Sequence, residues 1–145
     1  NGEVIGIISL KIVQDEVEGM GFAIPIEDAL DYAGKIEKGE TIQRPYVGIS
    51  MVDATETYAL WQYRITLPEN VNDGVVIIEV VKDSPAEKAK LQKGDVITKL
   101  NDKSISSLAE FRYELYKYEV GDKINITYIR NNKETTTSIT LGKNK

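Results

Sequence analysis

Leu91-Gln92-Lys93-Gly94-Asp95-Val96-Ile97 decides the fold of this chain. A leucine closes one element, Lys93-Gly94-Asp95 makes a turn, and two β-branched residues open a strand through Leu100. Just upstream, Ser84-Pro85-Ala86-Glu87 is a capping box with proline at the first helical position, so a short helix runs to about Leu91. Before it, Val75 to Val81 is almost continuously apolar, as expected of a strand buried on both faces. Tyr46 to Val52 reads as an earlier strand. Asp53 and Glu56 have capping-box spacing for a short helix through Tyr58, Leu60 and Trp61, and Arg64 to Gly74 is a loop. Downstream, Ser107-Leu108-Ala109-Glu110 is another capping box. Leu108, Phe111 and Leu115 give its helix an apolar stripe toward Tyr118. Ile124–Ile129 and Thr135–Leu141 then form a hairpin around Asn131-Asn132. The pattern predicts an α+β, mainly β fold: a small, mostly antiparallel barrel or sandwich capped by two or three helices.

The first forty-five residues read differently. Val4–Leu10 and Gly21–Ile24 are strands, too few to build a core. From Pro25 the apolar residues Ile26, Ala29, Leu30, Ala33 and Ile36 fall at helical spacing, with acids near the start and Lys35 and Lys38 near the end, matching the macrodipole. Gly39 suits the C-cap. Glu40–Pro45 is a polar linker, and the domain boundary falls there. The chain opens at Asn1 without an initiator methionine, and we expect a piece of a longer protein.

Composition narrows the chemistry. A chain of 145 residues makes one domain, or one domain with an extension. Its 41% hydrophobic and 28% charged residues are those of a folding sequence. Eighteen basic residues against 23 acidic ones, without a Lys/Arg block, argue against nucleic acid. The longest apolar stretches fall well short of the ~18 residues of a spanning helix. Zero Cys and zero His exclude thiol nucleophiles, disulfides, Cys/His zinc sites and a Ser-His-Asp triad within this chain. No cofactor and no metal site is expected.

Three patterns have ordinary explanations. Ser84 and Lys88 have dyad spacing, but Ser84 is explained as an N-cap answered by Glu87. Glu27, Asp28 and Asp31 lie on the polar side of an amphipathic helix. Asn125-Ile126-Thr127 matches a glycosylation sequon but falls within a strand. A fourth is more informative. Arg44-Pro45-Tyr46-Val47-Gly48-Ile49 is a loop with glycine that can turn successive N–H groups toward one point, and Ser50-Met51-Val52 beside it offers a strand edge.

Tyr46-Val47-Gly48-Ile49, Gly74-Val75-Val76-Ile77, Ser84-Pro85-Ala86, Leu91 to Ile97 and the later helix resemble, in order and spacing, the PDZ domain of HtrA (high-temperature-requirement) serine proteases. Gly2-Glu3-Val4-Ile5-Gly6-Ile7 and Gly21-Phe22-Ala23-Ile24-Pro25 resemble the last strands of that family's chymotrypsin-like domain. The resemblance implies a remnant of the protease domain over 1–25, a linker helix and linker over 26–45, and a PDZ-type, partly open β-barrel capped by helices over 46–145. It places the catalytic triad outside the chain. It maps a carboxylate loop onto Tyr46, Val47, Gly48 and Ile49 with Arg44 nearby, and a pairing edge onto Ser50, Met51 and Val52. The groove helix follows at Leu108 to Tyr118, contributing Leu108, Phe111, Arg112 and Leu115. This sequence departs from eukaryotic signalling PDZ domains, which usually begin that loop with glycine where Tyr46 stands and carry a histidine in the groove helix, so the peptide class those domains prefer is not carried over. The implied function is capture of hydrophobic C-termini of unfolded proteins for an extracytoplasmic, membrane-anchored endopeptidase that trimerises through its protease domain. A PDZ adaptor, or a self-occluded regulator of the protease, is the alternative.

Overall fold

The computed structural model describes residues 2–11, 21–39, 43–69 and 71–143, in two compact units divided after Ile42. In the first, Gly6–Lys11 (β1) and Gly21–Pro25 (β2) pair antiparallel, with a register shift between Ile8 and Leu10. The helix Ile26–Glu37 (α1) follows at once, and its first N–H donates to the Ile5 carbonyl at 3.2 Å. It ends as its sequence suggests: Gly39, at φ +72°, donates to the Ile36 carbonyl at 2.9 Å. Leu30 and Ile36 of the apolar stripe are exposed, as are Ile5, Ile7 and Ile8. Glu27 is exposed on α1, while the side chains of Asp28 and Asp31, and residues 40–42 of the expected linker, lie outside the described residues.

The second unit begins and ends in one clasp, Pro45–Tyr46 (β3) against Gly142–Lys143 (β10). Between them runs an antiparallel sheet: Ile49–Asp53 (β4), Val75–Val80 (β5), Val96–Leu100 (β6), the short Lys103–Ser104 (β7), Lys123–Arg130 (β8) and Lys133–Thr140 (β9). The order is β4-β5-β6-β8-β9, with β7 against β6, so the sheet stays open rather than closing into a barrel, and β4 and β9 are its edges. Its helices are Thr57–Gln62 (α2), Pro85–Lys88 (α3) and Leu108–Leu115 (α4). The expected single strand from Tyr46 to Val52 is broken at Val47-Gly48, where φ of +87° at Gly48 turns the chain from the β10 clasp into the main sheet. At the opposite end, Asn131 and Asn132 both take positive φ and close the β8–β9 hairpin, as their sequence signal indicates.

Val75, Val76 and Ile77 are all fully buried, but on two faces. Val75 and Ile77 join the main core of Val47, Leu91, Ile97, Leu100, Phe111, Ile124 and Ile126. Val76 joins Ala54, Leu60 and Val96 under α2. The continuous apolar run of β5 thus serves two cores at period two. Ser84 and Ser107 cap α3 and α4, accepting from the N–H of Glu87 at 3.2 Å and Glu110 at 3.3 Å. Each glutamate returns its carboxylate one residue earlier than a standard capping box, to the N–H of Asp83 and of Ser106, both at 2.8 Å. The Asp53/Glu56 box does not form: Glu56 itself stands at the N-cap of α2 without a side-chain cap bond. In the Lys93-Gly94-Asp95 turn, the fully buried Asp95 accepts from Gln92 N–H at 2.8 Å and from Arg130 Nε and Nη2 at 2.6 and 2.7 Å. The turn and the end of β8 are thereby held together.

Candidate functional site

The loop before β4 owes its shape to two carbonyls. Val47 C=O accepts from Ala86 N–H and Gly48 C=O from Val81 N–H, both at 2.9 Å. Carbonyl and amide of one trans peptide unit point in opposite directions, so the N–H groups of Gly48 and Ile49 are turned away from α3 and β5. Neither N–H is taken up by those two elements, so both amide dipoles are open to a partner on the other side. The left-handed Gly48 is required twice, by its φ and by space: a Cβ there would stand 2.2 Å from Ser84 Cβ.

β4 continues from this loop along the sheet edge. Opposite Met51, Ile77 gives its N–H to Asp95 O at 2.9 Å and takes Gly94 N–H on its own carbonyl at 2.8 Å. The backbone groups of Met51 therefore face outward, away from β5. The side chains of Ile49 and Met51 are half-buried against the main core, on the face that also carries Leu108. Val52 packs instead with the α2 core, and Ser50 is half-buried.

α4 faces this edge and is tied to it. Asp53 Oδ1 accepts the Leu108 N–H, joining the end of β4 to the first residue of the helix. The two elements therefore run antiparallel, and the far end of α4 lies toward the loop. There the Arg44 guanidinium stands 5.4 Å from the centroid of the Tyr116 ring. The start of α4 is further held by Glu110, which accepts from Ser106 Oγ at 2.7 Å and from Ser106 N–H. These bonds, the hydroxyl first, hold its carboxyl below the ordinary glutamate value.

The residues singled out from sequence are thus placed unequally. Ile49, Met51 and Leu108 pack on one core beside the Val47-Gly48 loop, Arg44 contacts Tyr116 at the far end of α4, and the exposed Arg112 lies one helical turn beyond Leu108. Phe111 is fully buried and Leu115 nearly so, which makes them support behind the groove rather than its surface. Asp53 and Tyr116 were not among the expected site residues. Asp53 and Leu108 lie 55 residues apart, and no local pattern joins them. Among the described residues no group of acidic side chains could hold a metal ion.

Comparisons with known proteins bear on this site. The family model described as PDZ domain matches residues 45–141. The serine protease Do-like HtrA of Lactococcus lactis subsp. lactis (strain IL1403) is 38% identical over 147 residues, covering 98% of this chain and 36% of that protein. Its namesake in Bacillus subtilis (strain 168) is 40% identical over 144 residues, covering 97% of this chain and 32% of that protein. The solved structure of the HtrA-type protease AlgW with decapeptide superimposes with a TM-score of 0.76 at 26% identity, covering 99% of this chain and 43% of that one. The chain spans about a third of the length of these curated relatives.

Proposed function

The chain belongs to the PDZ domain family and is homologous over nearly its whole length to HtrA serine proteases, and on that premise we propose that it is the peptide-capturing part of an HtrA-type serine endopeptidase. A hydrophobic C-terminus adds as an antiparallel strand to β4, between that edge and α4. Its carboxylate sits on the N–H groups of Gly48 and Ile49, with Arg44 beside it. Its last apolar side chain rests on Ile49, Met51 and Leu108, backed by Phe111 and Leu115. Backbone bonds along Ser50, Met51 and Val52 are indifferent to sequence, so selection falls to that pocket, to the carboxylate and to Arg112. In this reading, 1–25 are the last strands of the protease domain, 26–45 the linker helix and linker, and 46–145 the PDZ domain. The intact protein acts outside the cytoplasm on unfolded substrates and assembles through its protease domain.

The observation that carries the reading is the outward N–H pair of the Val47–Ile49 loop at the head of an edge strand. The decapeptide of the AlgW structure agrees with it in kind. Without histidine, the chain by itself binds and does not cleave. Titration with a hydrophobic peptide as free acid and as C-terminal amide tests the proposal. Charge-assisted bonds contribute about 1.5–3 kcal/mol, so amidation should weaken binding roughly tenfold or more. Equal affinities would show the loop to be misassigned, and no binding by any hydrophobic C-terminus would favour a groove closed by its own side chains.

A further inference from the structure

A second surface lies on α2 and the loop after it. Tyr58 and Trp61 stand one helical turn apart, 72% and 74% exposed, with ring centroids 6.0 Å apart. Trp61 is the sole tryptophan of the chain. Tryptophan is usually well covered, so leaving one open beside a second aromatic calls for a partner. The pair stands on a convex turn of helix, with Ala59 and Leu60 on its inner side. Charge is segregated here as well. From Thr57 to Pro68 the only charged residue is Arg64, in a chain with a net charge of −5, and the nearest acids in sequence are Glu56 and Glu69 at either end. Arg64 is exposed, and no carboxylate among the described residues pairs with it. Lys93 stands with its Nζ 5.8 Å from the centroid of Tyr63. Beside them opens a cleft of about 560 Å³ whose mostly neutral lining includes Arg64, Lys93 and Arg130. The one acid in its lining, Asp95, is fully buried and bonded to Arg130.

We infer that this face docks on an anionic lipid surface. Amphipathic rings on a protruding turn suit the head-group layer, where an apolar body and a polar edge are both satisfied. Arg64 and Lys93 beside them meet the phosphates, and the cleft gives one head group room to enter. A protein partner would instead be expected to find a concave apolar seat, whereas the cleft here carries Arg64 and Lys93, with the third cation, Arg130, matched by Asp95. The inference is independent of the peptide groove.

The test uses the whole chain, with Trp61 as built-in reporter, against vesicles of equal parts phosphatidylglycerol and phosphatidylcholine and against phosphatidylcholine alone. Anionic vesicles should carry the chain down on sedimentation and shift its fluorescence to the blue, and neutral vesicles should do neither. Each cation near an anionic bilayer is worth about fivefold in binding, so Arg64→Gln with Lys93→Gln should weaken it by about thirtyfold. Trp61→Ser, followed by sedimentation, should cost roughly tenfold or more. Both variants should keep the parent's circular dichroism and peptide affinity. Absence of binding at low salt, equal binding to neutral vesicles, or unchanged binding by the double variant would overturn the inference. So would an equal blue shift with inorganic phosphate, which marks a soluble-anion site, or one that grows with protein concentration without lipid, which marks self-association.

Discussion

Replacing Gly48 by alanine probes the joint on which the groove depends. The new methyl would lie 2.2 Å from Ser84 Cβ and 2.7 Å from Ser84 Oγ, and the backbone would have to hold φ +87° with a side chain. Strain in that region costs about 1–2 kcal/mol. Ser84 cannot step aside, because it is buried and its Oγ caps α3 through Glu87 N–H at 3.2 Å. Losing that cap costs about 1 kcal/mol more. The sum is roughly 2–3 kcal/mol, read as a fall in the urea midpoint of about 1–2 M, given a typical slope of about 1–3 kcal/mol/M. A second substitution separates the two causes. Ser84→Gly removes the clashing Cβ while glycine remains a fair N-cap, so the double variant should recover the steric part and leave only the strain at position 48. Urea unfolding followed by circular dichroism gives all four corners of the cycle. A loss under about 1 kcal/mol for Gly48→Ala, or no recovery with Ser84→Gly, would mean that loop and helix do not meet as described.

Asp53→Ala releases Leu108 N–H and unties β4 from α4; it should cost about 1–2 kcal/mol in unfolding and weaken peptide binding by several fold, measured by calorimetry. Asp95→Ala leaves the Arg130 guanidinium without its carboxylate and should cost about 3–5 kcal/mol in urea unfolding, whereas Lys117→Ala, which breaks a surface pair with Glu114 and a contact with the exposed Tyr113 ring, should cost about 1 kcal/mol or less. Glu110 supplies a pH dependence. Its folded carboxyl is held below the ordinary value, so its support of the α4 start is complete above that value and is lost as pH falls through the folded one. Protection of the Ser106 amide against exchange, taken relative to the intrinsic rate at each pH, should fall on acidification and should lose that dependence in Glu110→Gln.

How much of this was legible in the chain itself follows from the range of each signal. Both serine caps, the Asn131-Asn132 hairpin, the glycine at the end of α1 and the two-faced burial of β5 could be read because each depends on residues within a few positions or on a short period. The order of motifs from Tyr46 to the α4 helix sufficed for the family. Local spacing misled at Asp53, whose distance from Glu56 mimics a capping box. Its side chain is taken by Leu108, because folding brings the start of α4 to the end of β4. Helical spacing put Phe111 and Leu115 on one face, but whether that face lines a groove or a core depends on what packs against it, and here it is the core. The same holds for Arg44 with Tyr116, and for Asp95 with Arg130, which lie 35 residues apart. Pattern along the chain records what each residue needs from its near neighbours. Contacts across long loops are set only when the sheet order is made, and that order brought a glycine, an edge strand and a helix together.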